Sequence, residues 1–274
     1  MIKDMNKRLK LFHYAGGDFF IAKELLSRIN GLCPNQCSFV EIFGGSGYIS
    51  QIIDKTKFSN VIYNDIDSKL TTLYKMVKEK PKILQEILYT IPYSRELNRI
   101  IINTLKENKT LSEIELAVFT FYVLNSTFYG KFDNGFAFSI KRNVSKPYFN
   151  KIDKITEISK LWRNITIENL NFKDVIKKYD RESTVFYADP PFVNRNDYYS
   201  YTFSENDLKE LALLLSQIKG KFLLKLDLEN YSLVKDILAT DKYKIEKLEK
   251  TLSFNKVINE KRKKWVLVLI TKDF

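Results

Sequence analysis

The sequence predicts an α/β protein in which an open sheet is interrupted by a helical insertion. Strand-like apolar runs alternate with helix-like patterns in residues 38–66, and the alternation resumes in residues 164–238. The block between them, from about residue 67 to residue 125, has an almost wholly helical pattern. We therefore expect one sheet domain formed by residues 1–66 and 160–274, with residues 67–159 inserted as a helical domain.

Composition limits the class of protein. With 274 residues, 45% of them hydrophobic, the chain can bury one sizeable core and a smaller lobe. Its 45 basic and 33 acidic residues give a net charge of +12, which favours a polyanionic partner; a lysine-rich solvated surface is the alternative. The start of the chain is polar, and no apolar run is long enough to cross a bilayer. We expect a cytoplasmic monomer.

The cysteines and the histidine argue against a metal centre. Cys33 and Cys37 have the spacing C-x3-C without a second cysteine pair, and His13 is the only histidine, so a zinc ion would lack ligands. We expect the two cysteines to be structural thiols in a reducing compartment. A single histidine also excludes most catalytic triads that depend on this residue.

The first elements predict that the backbone can approach a ligand. Gly16 and Gly17 precede a predicted helix over residues 19–29, with Asp18 as its N-cap and Gly31 just past its end. A glycine pair at this place lets the chain come close to a bound molecule. A capped surface helix is the alternative.

A second glycine turn predicts a cofactor that contains adenosine. A strand over residues 38–43 leads through Gly44-Gly45-Ser46-Gly47 into a helix over residues 48–53, so that backbone N–H groups lie close to a ligand. The next strand, over residues 60–63, ends at Asn64-Asp65, where the acid can accept both hydroxyl groups of a ribose. The alternative is that Asp65 caps the helix that begins near Ser68.

The helical block ends in a basic region. Pro81 and Pro92 predict breaks between its helices, and Asp133-Asn134-Gly135 is the strongest hairpin signal in the chain. The basic residues around that signal are Lys131, Lys141, Arg142, Lys146, Lys151 and Lys154. A basic hairpin can enter the major groove of DNA while lysines contact phosphates; a solvated, lysine-rich insertion is the alternative.

The remaining elements complete the sheet. They are a strand over residues 164–168, a helix over 172–179, a strand over 185–188, a helix from a capping box at Ser204-Asp207 to Gln217, a strand over 222–226, a helix over 231–238, and strands over 243–250 and 265–271. The last two strands are too close in sequence for a helical crossover, so we expect them to pair antiparallel.

The stretch Val185-Phe186-Tyr187-Ala188-Asp189-Pro190-Pro191-Phe192 predicts the reaction centre. An apolar strand stops at a carboxylate because the prolines lack the N–H that a sheet needs, and open α/β sheets bind ligands at such carboxyl ends. Asp189 and the carbonyl of Pro190 can each accept one N–H of an exocyclic amine while Phe192 stacks on the base. An ordinary Asp-Pro turn is the alternative.

The order of these pieces resembles the Dam-like, D12 class of DNA adenine-N6 methyltransferases. The resemblance rests on Tyr14-Ala15-Gly16-Gly17, Phe39 to Gly47, Asn64-Asp65, Asn125-Ser126-Thr127-Phe128-Tyr129-Gly130, Lys146-Pro147-Tyr148-Phe149 and Asp189-Pro190-Pro191-Phe192. It implies the class I S-adenosylmethionine-dependent methyltransferase fold, which is Rossmann-like with a mixed seven-stranded sheet. It further implies S-adenosylmethionine as cofactor, double-stranded DNA as substrate, and a helical target-recognition domain with a hairpin over residues 67–159. A restriction–modification role is part of this expectation.

The candidate site residues follow from both arguments. Those for catalysis are Asp189, Pro190 and Phe192; those for the cofactor are Tyr14, Gly16, Gly17, Glu41, Phe43, Gly45, Ser46, Asp65 and Asn171; those for DNA are Asn125, Lys131, Lys141, Arg142 and Tyr198. No metal ligand is predicted.

The chain departs from the family pattern at several positions. Asp18 replaces a lysine after the glycine pair, and we expect its capping role to turn it outward; Asn171 replaces an aspartate, and Lys225 a small polar residue. In the last strand an apolar run replaces the usual acid. These differences keep two alternatives open: methylation of a base amine in RNA, and a nucleic-acid-binding relative without catalysis.

Overall fold

The computed structural model describes residues 9–12, 14, 17–107, 110–132, 134–193, 201–238, 242–251 and 264–272. The described residues fall into two compact units. The first unit draws on residues 1–20, 45–52 and 67–169, and the second on residues 21–44, 53–66 and 170–274. The assignment of target recognition to residues 67–159 stays a prediction about function.

The helices of the described chain are α1 (Ala22–Leu32), α2 (Tyr48–Ile52), α3 (Ser68–Glu79), α4 (Pro81–Thr90), α5 (Arg95–Lys106), α6 (Glu113–Ser126), α7 (Ser145–Ile152), α8 (Ile155–Trp162), α9 (Phe172–Tyr179), α10 (Glu205–Gln217) and α11 (Leu228–Leu238). Residues 67–126 are helical apart from short connections, as the sequence predicts. Pro81 is the first residue of α4. A backbone N–H at this position would have no acceptor within the helix, so proline costs no hydrogen bond there. None of the described helices is long and apolar enough to cross a membrane.

The strands are β1 (Cys37–Glu41), β2 (Phe58–Asn64), β3 (Ile165–Glu168), β4 (Thr184–Ala188), β5 (Lys221–Asp227), β6 (Lys244–Thr251) and β7 (Lys264–Lys272). They form a seven-stranded sheet in the order β3-β2-β1-β4-β5-β7-β6. Strand β1 runs parallel to β2 and β4, and β4 runs parallel to β5. Strand β7 is antiparallel to both β5 and β6. The predicted mixed α/β sheet with a reversed final hairpin is therefore confirmed.

The core of the second unit explains why its strands are apolar. All five residues of β4 are buried, and α10 packs Leu208, Leu211 and Leu215 into the same cluster as Phe222 of β5. A strand that is covered on both faces reads as a continuous apolar run instead of an alternating one. The carboxylate of the residue after β4 is therefore the first charged group beyond this buried strand.

The amino end of α1 corrects one prediction. Asp18 lies in a 3₁₀ turn over Asp18–Phe20, and α1 begins at Ala22 after Ile21, which provides no side-chain cap. Asp18 is buried and not turned outward. Gly31 lies inside α1 and does not end it. The buried residues that form the inner face of α1 begin at Ala22. The helix therefore begins later in the chain than the predicted capping residue indicates.

The expected thiols are also corrected. Cys33 and Cys37 form a disulfide, with 5.9 Å between their Cα atoms. Cys33 is the residue after α1 and Cys37 is the first residue of β1. The short turn between these two elements brings the side chains within bonding distance, which sequence spacing alone does not establish.

The predicted hairpin forms only in part. In the described residues around the Asn134-Gly135 turn, antiparallel pairing is limited to one bridge, between Thr127 and Phe136. Tyr129 and Gly130 both have positive φ, 60° and 68°, so the chain leaves the extended geometry directly after the bridge. The result is a loop closed by one bridge, held by a hydrogen bond from Phe128 N–H to the carbonyl of Gly135.

Candidate active site and nucleic-acid interface

In the second unit, four parallel strands end at one edge of the sheet. Because β1, β2, β4 and β5 run in the same direction, their carboxyl ends lie together. The residues at these ends are Ile42 to Gly44 after β1, Asp65 after β2, Asp189 after β4 and Asp227 at the end of β5. The sequence predicted the first three of these groups. Their convergence gives one edge that carries three acids and the start of the glycine turn.

Asn64 fixes the end of β1 against the segment before α9. Its Nδ2 donates to the carbonyls of Ile42 and Leu170 at 2.9 and 3.0 Å, and its Oδ1 accepts from Leu170 N–H at 2.9 Å. Its own carbonyl accepts from Gly44 N–H at 2.7 Å. One buried amide therefore holds three chain segments in place beside the glycine turn. In the sequence, Asn64 is recognisable only as a strand end, and no local signal indicates this role.

The side chain of Phe43 lies in an aromatic cluster. Its ring centroid is 5.9 Å from that of Phe172 and 5.6 Å from that of Phe203, the latter in edge-to-face geometry. Such pairs stabilise a fixed ring orientation. A ring held in this way forms a rigid apolar surface that the planar ring of a ligand can contact. Phe203 was not predicted, since only the fold brings it to this edge.

Asp189 forms an ion pair that the sequence did not predict. Its Oδ2 lies 2.5 Å from Nζ of Lys225 on β5, and the two side chains are only 19% and 5% exposed. Pro190 is buried, and Phe192 is 9% exposed. The carboxylate on the turn after β4 is therefore largely shielded from solvent. A charge buried to this degree needs a partner, and Lys225 provides it.

The other end of the same turn is held by Asn230 of α11. Val193 N–H donates to Asn230 Oδ1 at 3.0 Å. Asn230 in turn donates through its backbone N–H and its Nδ2 to Oδ1 of Asp227, at 2.9 and 2.7 Å. Both Asn230 and Asp227 are buried. The segment Asp189–Val193 is thus attached at each end to β5 and α11.

In the first unit, the glycine turn contacts the segment around Tyr14. Gly45 and Gly47 have φ values of 48° and 57°, a region that favours glycine. A Cβ on Gly45 would lie 2.7 Å from Cε1 of Tyr14, and one on Gly17 would lie 3.6 Å from Oγ of Ser46. The structure therefore brings Tyr14, Gly17, Gly45 and Ser46 together; their role in cofactor binding stays a prediction.

An aromatic stack supports this turn from the helical side. The hydroxyl group of Tyr74 in α3 donates a hydrogen bond to the carbonyl of Ser46. The ring of Tyr74 stacks on Trp162 of α8, with 3.7 Å between centroids. Trp162 also donates to Gln51 of α2 at 3.1 Å. Side chains of α3 and α8 consequently hold the backbone of the glycine turn at Ser46.

Gly44, which follows β1, belongs to the second unit. A Cβ on Gly44 would lie 2.1 Å from the ring of Tyr63, so no side chain fits there. Glu41, the last residue of β1, is buried, and so is Asp65. Within the second unit, buried acids at strand ends and a glycine that admits no side chain thus lie at the edge where open α/β sheets bind ligands.

Among the remaining predicted residues, the structure describes Asn171 and Asp65 but not Gly16 and Tyr198. Asn171 is the N-cap of α9: its Oδ1 accepts from Lys173 N–H at 3.0 Å. The alternative role for Asp65 as a cap is wrong, since Asp67 caps α3 by accepting from Lys69 N–H. Gly16 and Tyr198 lie outside the described residues, as does most of the basic loop before β7.

The first unit also contains the predicted basic region. Lys141 and Arg142 are exposed and Lys131 is half-buried. Several apolar side chains are exposed on the same loop: Phe128, Tyr129, Phe138 and Ile140. The guanidinium of Arg95 lies 5.5 Å from the ring centroid of Phe138. Cations that alternate with exposed aromatic rings are typical of surfaces that bind nucleic acid.

Asn125 is bonded within the first unit. Its Oδ1 accepts from Nζ of Lys151 at 2.6 Å, while its Nδ2 donates to the carbonyls of Leu11 and Phe121 at 3.3 and 2.9 Å. Burial, with the nearby charges of Lys10 and Lys154, lowers the pKa of Lys151 to about 7. Asn125 therefore anchors a lysine that changes charge near neutral pH, a feature that the sequence did not indicate.

Comparisons with known proteins identify similar chains. A sequence profile of the D12 class N6 adenine-specific DNA methyltransferase family matches residues 21–264. The type II methyltransferase M.MjaIII of Methanocaldococcus jannaschii is 28% identical over 244 residues, covering 78% of each chain.

Two solved structures are similar over most of their length. One is a precorrin-8w decarboxylase from Methanobacterium thermoautotrophicum, 9% identical, with a TM-score of 0.40 and coverage of 92% of this chain and 90% of the other. The second is a precorrin-6y C5,15-methyltransferase from Geobacter metallireducens, also 9% identical, with a TM-score of 0.40 and coverage of 96% and 93%.

Proposed function

Because this chain belongs to the D12 class N6 adenine-specific DNA methyltransferase family, we propose that it methylates an adenine that has been flipped out of duplex DNA. We propose S-adenosylmethionine as the methyl donor and Asp189, Pro190 and Phe192 as the residues that hold the base. The observation that supports this most directly is the Asp189–Phe192 turn at the carboxyl end of β4, between the ends of β1 and β5.

The chemistry follows from the groups on this turn. Asp189 and the carbonyl of Pro190 each accept one N–H of the N6 amine, which directs the nitrogen lone pair toward the methyl group. S-adenosylmethionine, when bound, would supply that methyl group from its sulfonium, with the S–CH₃ bond broken as the N–CH₃ bond is formed and a neutral thioether left. The positive charge passes to N6, where the acceptors stabilise it until a proton leaves to water.

The target amine is hidden in stacked DNA, so the base must leave the helix. Extruding a base costs a few kcal/mol of stacking and pairing. Phe192 then provides an apolar ring for the extruded base. The exposed Lys141 and Arg142, with the aromatic side chains of the same loop, provide phosphate and base contacts that offset this cost.

We propose that the residues that the sequence predicts for the cofactor contact it. Gly45 and Ser46, with Tyr14 and Gly17, form the glycine turn of the first unit. Phe43, Glu41 and Asp65 lie at the strand ends of the second. We assign the ribose hydroxyls to Asp65 and the ring contact to Phe43. Asn171, whose Oδ1 caps α9, is assigned an outer contact through its amide N–H groups.

The biological setting is part of the proposal. M.MjaIII is named a type II methyltransferase, which supports a place for this chain in restriction–modification. A DNA substrate supports action in the compartment that contains the chromosome.

The test is transfer of a labelled methyl group to duplex DNA. The wild-type protein is incubated with labelled S-adenosylmethionine, and the digested DNA is separated by nucleoside. We expect label in N6-methyladenine and loss of transfer with Asp189→Ala. Label in cytosine, or equal transfer by the variant, would refute the proposal.

Two parallel measurements separate the alternatives. Total RNA added as a competing acceptor would accumulate the label if the substrate were RNA. Calorimetry with S-adenosylmethionine would give no binding heat if the chain were a nucleic-acid-binding relative without catalysis. Salt-dependent DNA binding without cofactor binding would favour that last function.

A further inference from the structure

The turn that carries Asp189 is held by two polar side chains that play no direct part in the proposed chemistry. Lys225 contacts the carboxylate of Asp189 at 2.5 Å at one end of the turn. Asn230 accepts from Val193 N–H at 3.0 Å at the other end. We propose that Lys225 and Asn230 are positioning residues that fix the Asp189–Val193 segment in the geometry that grips the target amine. This inference rests on the proposed function.

The sheet holds the backbone of Lys225 in place. Lys225 lies in β5, paired with Leu269 of β7 on one side. On the other side the last registered pair of β4 and β5 is Ala188 with Leu224. Asp189 and Lys225 are therefore each the next residue after a paired position. The sheet thus fixes the backbone of Lys225 and places the two side chains next to each other.

The ion pair has two opposite effects on the chemistry. The ammonium of Lys225 weakens the attraction of the carboxylate for positive charge that develops on N6. Without the ammonium, however, a carboxylate that is only 19% exposed would lose the charged partner that holds its orientation. Because a carboxylate offers about four lone-pair sites, one contact with Lys225 still permits it to accept from an amine, so positioning is the larger effect.

Asn230 acts on the backbone of the same segment. Its own position is set by two hydrogen bonds to Asp227 at the end of β5. The two supports therefore start from one strand, which holds the turn at its first and last residues. Proline at positions 190 and 191 stiffens the middle of the segment. A turn that is stiff inside and fixed at both ends presents a defined pair of acceptors.

The experiment compares methyl-transfer kinetics of four proteins on duplex DNA. They are the wild type, Lys225→Met, Lys225→Arg and the control Lys221→Met, which removes a lysine from the same face of β5. We expect Lys225→Met to lower kcat by about 10- to 100-fold, since displacement of a reacting group by 1 Å costs up to 10²-fold. The KM for S-adenosylmethionine should change less than about threefold, because the glycine turn is untouched. Lys225→Arg should recover part of the loss, and Lys221→Met should match the wild type.

A double-mutant cycle tests whether Lys225 acts through Asp189. In an Asp189→Asn background, Lys225→Met should cause no further loss of kcat, because residues that act as a unit are not additive. The double variant removes both charges and so leaves neither of them unpaired. If the single variant is weakly active only because an unpaired charge prevents folding, the double variant should fold. For Asn230→Ala we expect a smaller loss of kcat, about three- to tenfold, at unchanged cofactor KM.

The outcomes separate this inference from the function that it rests on. An inactive wild-type protein would refute both. An active wild type with an equally active Lys225→Met variant would refute the positioning role alone. So would a rise in kcat, which would show that Lys225 competes with the amine for the carboxylate. Additive losses in the cycle would place Lys225 in contact with substrate and also refute it.

Discussion

Replacing Gly45 by alanine tests how the glycine turn binds the cofactor. Gly45 has φ = 48°, and a left-handed conformation costs a residue with a Cβ about 1–2 kcal/mol. The new Cβ would also lie 2.7 Å from the ring of Tyr14, so the ring must move. Relief by flattening the turn withdraws the backbone N–H groups from the ligand.

The expected size of the effect follows from these two terms. If the strain of about 1–2 kcal/mol is released only by leaving the binding conformation, the Kd for S-adenosylmethionine rises roughly 5- to 30-fold. Displacement of Tyr14 adds to this rise. The assay is isothermal titration calorimetry of the wild type and Gly45→Ala with S-adenosylmethionine in the absence of DNA.

Gly31→Ala is the matched control. Gly31 is exposed inside α1, and a Cβ built there meets nothing within 4 Å. Because glycine weakens a helix interior, this substitution should raise the free energy of unfolding by about 0.5–1 kcal/mol and leave the Kd unchanged. An unchanged Kd for Gly45→Ala would refute the binding role of the turn. A fall in the Kd of Gly31→Ala would show that the assay reports stability instead.

Three further predictions concern the reaction, the charge of the first unit and the DNA surface. Asp189→Asn should lower kcat by about 10²- to 10³-fold, the usual cost of removing one preorganised electrostatic contact, with the cofactor Kd within twofold; single-turnover kinetics and calorimetry measure the two. The pKa of Lys151 falls from 10.5 to about 7 in the folded chain, so between these values the unfolded chain binds one more proton and stability rises with pH. This contributes roughly 1 kcal/mol per pH unit. Urea unfolding at pH 7, 8 and 9 should show a smaller rise for Lys151→Met than for the wild type; equal slopes would contradict this. Replacing Lys141 and Arg142 by glutamine should weaken DNA binding across all sequences and reduce the slope of log K against log salt by about two, whereas an unchanged slope would remove both from the interface.

The local signals in the sequence were reliable wherever a feature depends on neighbouring residues. The end of β4 at Asp189 follows from an apolar run and two prolines, and the glycine turn follows from scarce glycines after a strand. The capping box at Ser204 and the break at Pro81 are also local, and both occur as predicted. Propensity and hydrogen-bonding capacity act over a few residues, so one chain is enough to recognise them.

Local signals failed where another part of the chain competes for the same residue. Asp18 has the composition of a cap, but the helix begins only at Ala22. The Asn134-Gly135 turn has the composition of a hairpin, but positive φ at Tyr129 and Gly130 ends the pairing after one bridge. In both places the preference of a short segment is a few tenths to about 1 kcal/mol, and packing outweighs it.

The sequence by itself determined the order of the strands and helices along the chain, the basic character of the chain and the turn that begins at Asp189. The tertiary structure alone decided which distant groups meet: Lys225 with Asp189 across β4 and β5, Asn230 with Val193, and Asn64 with Leu170, 106 positions apart. The physical reason is that periodicity and turn chemistry are properties of a short segment. Partners across a sheet depend instead on strand order and register, which are set by the packing of the entire core.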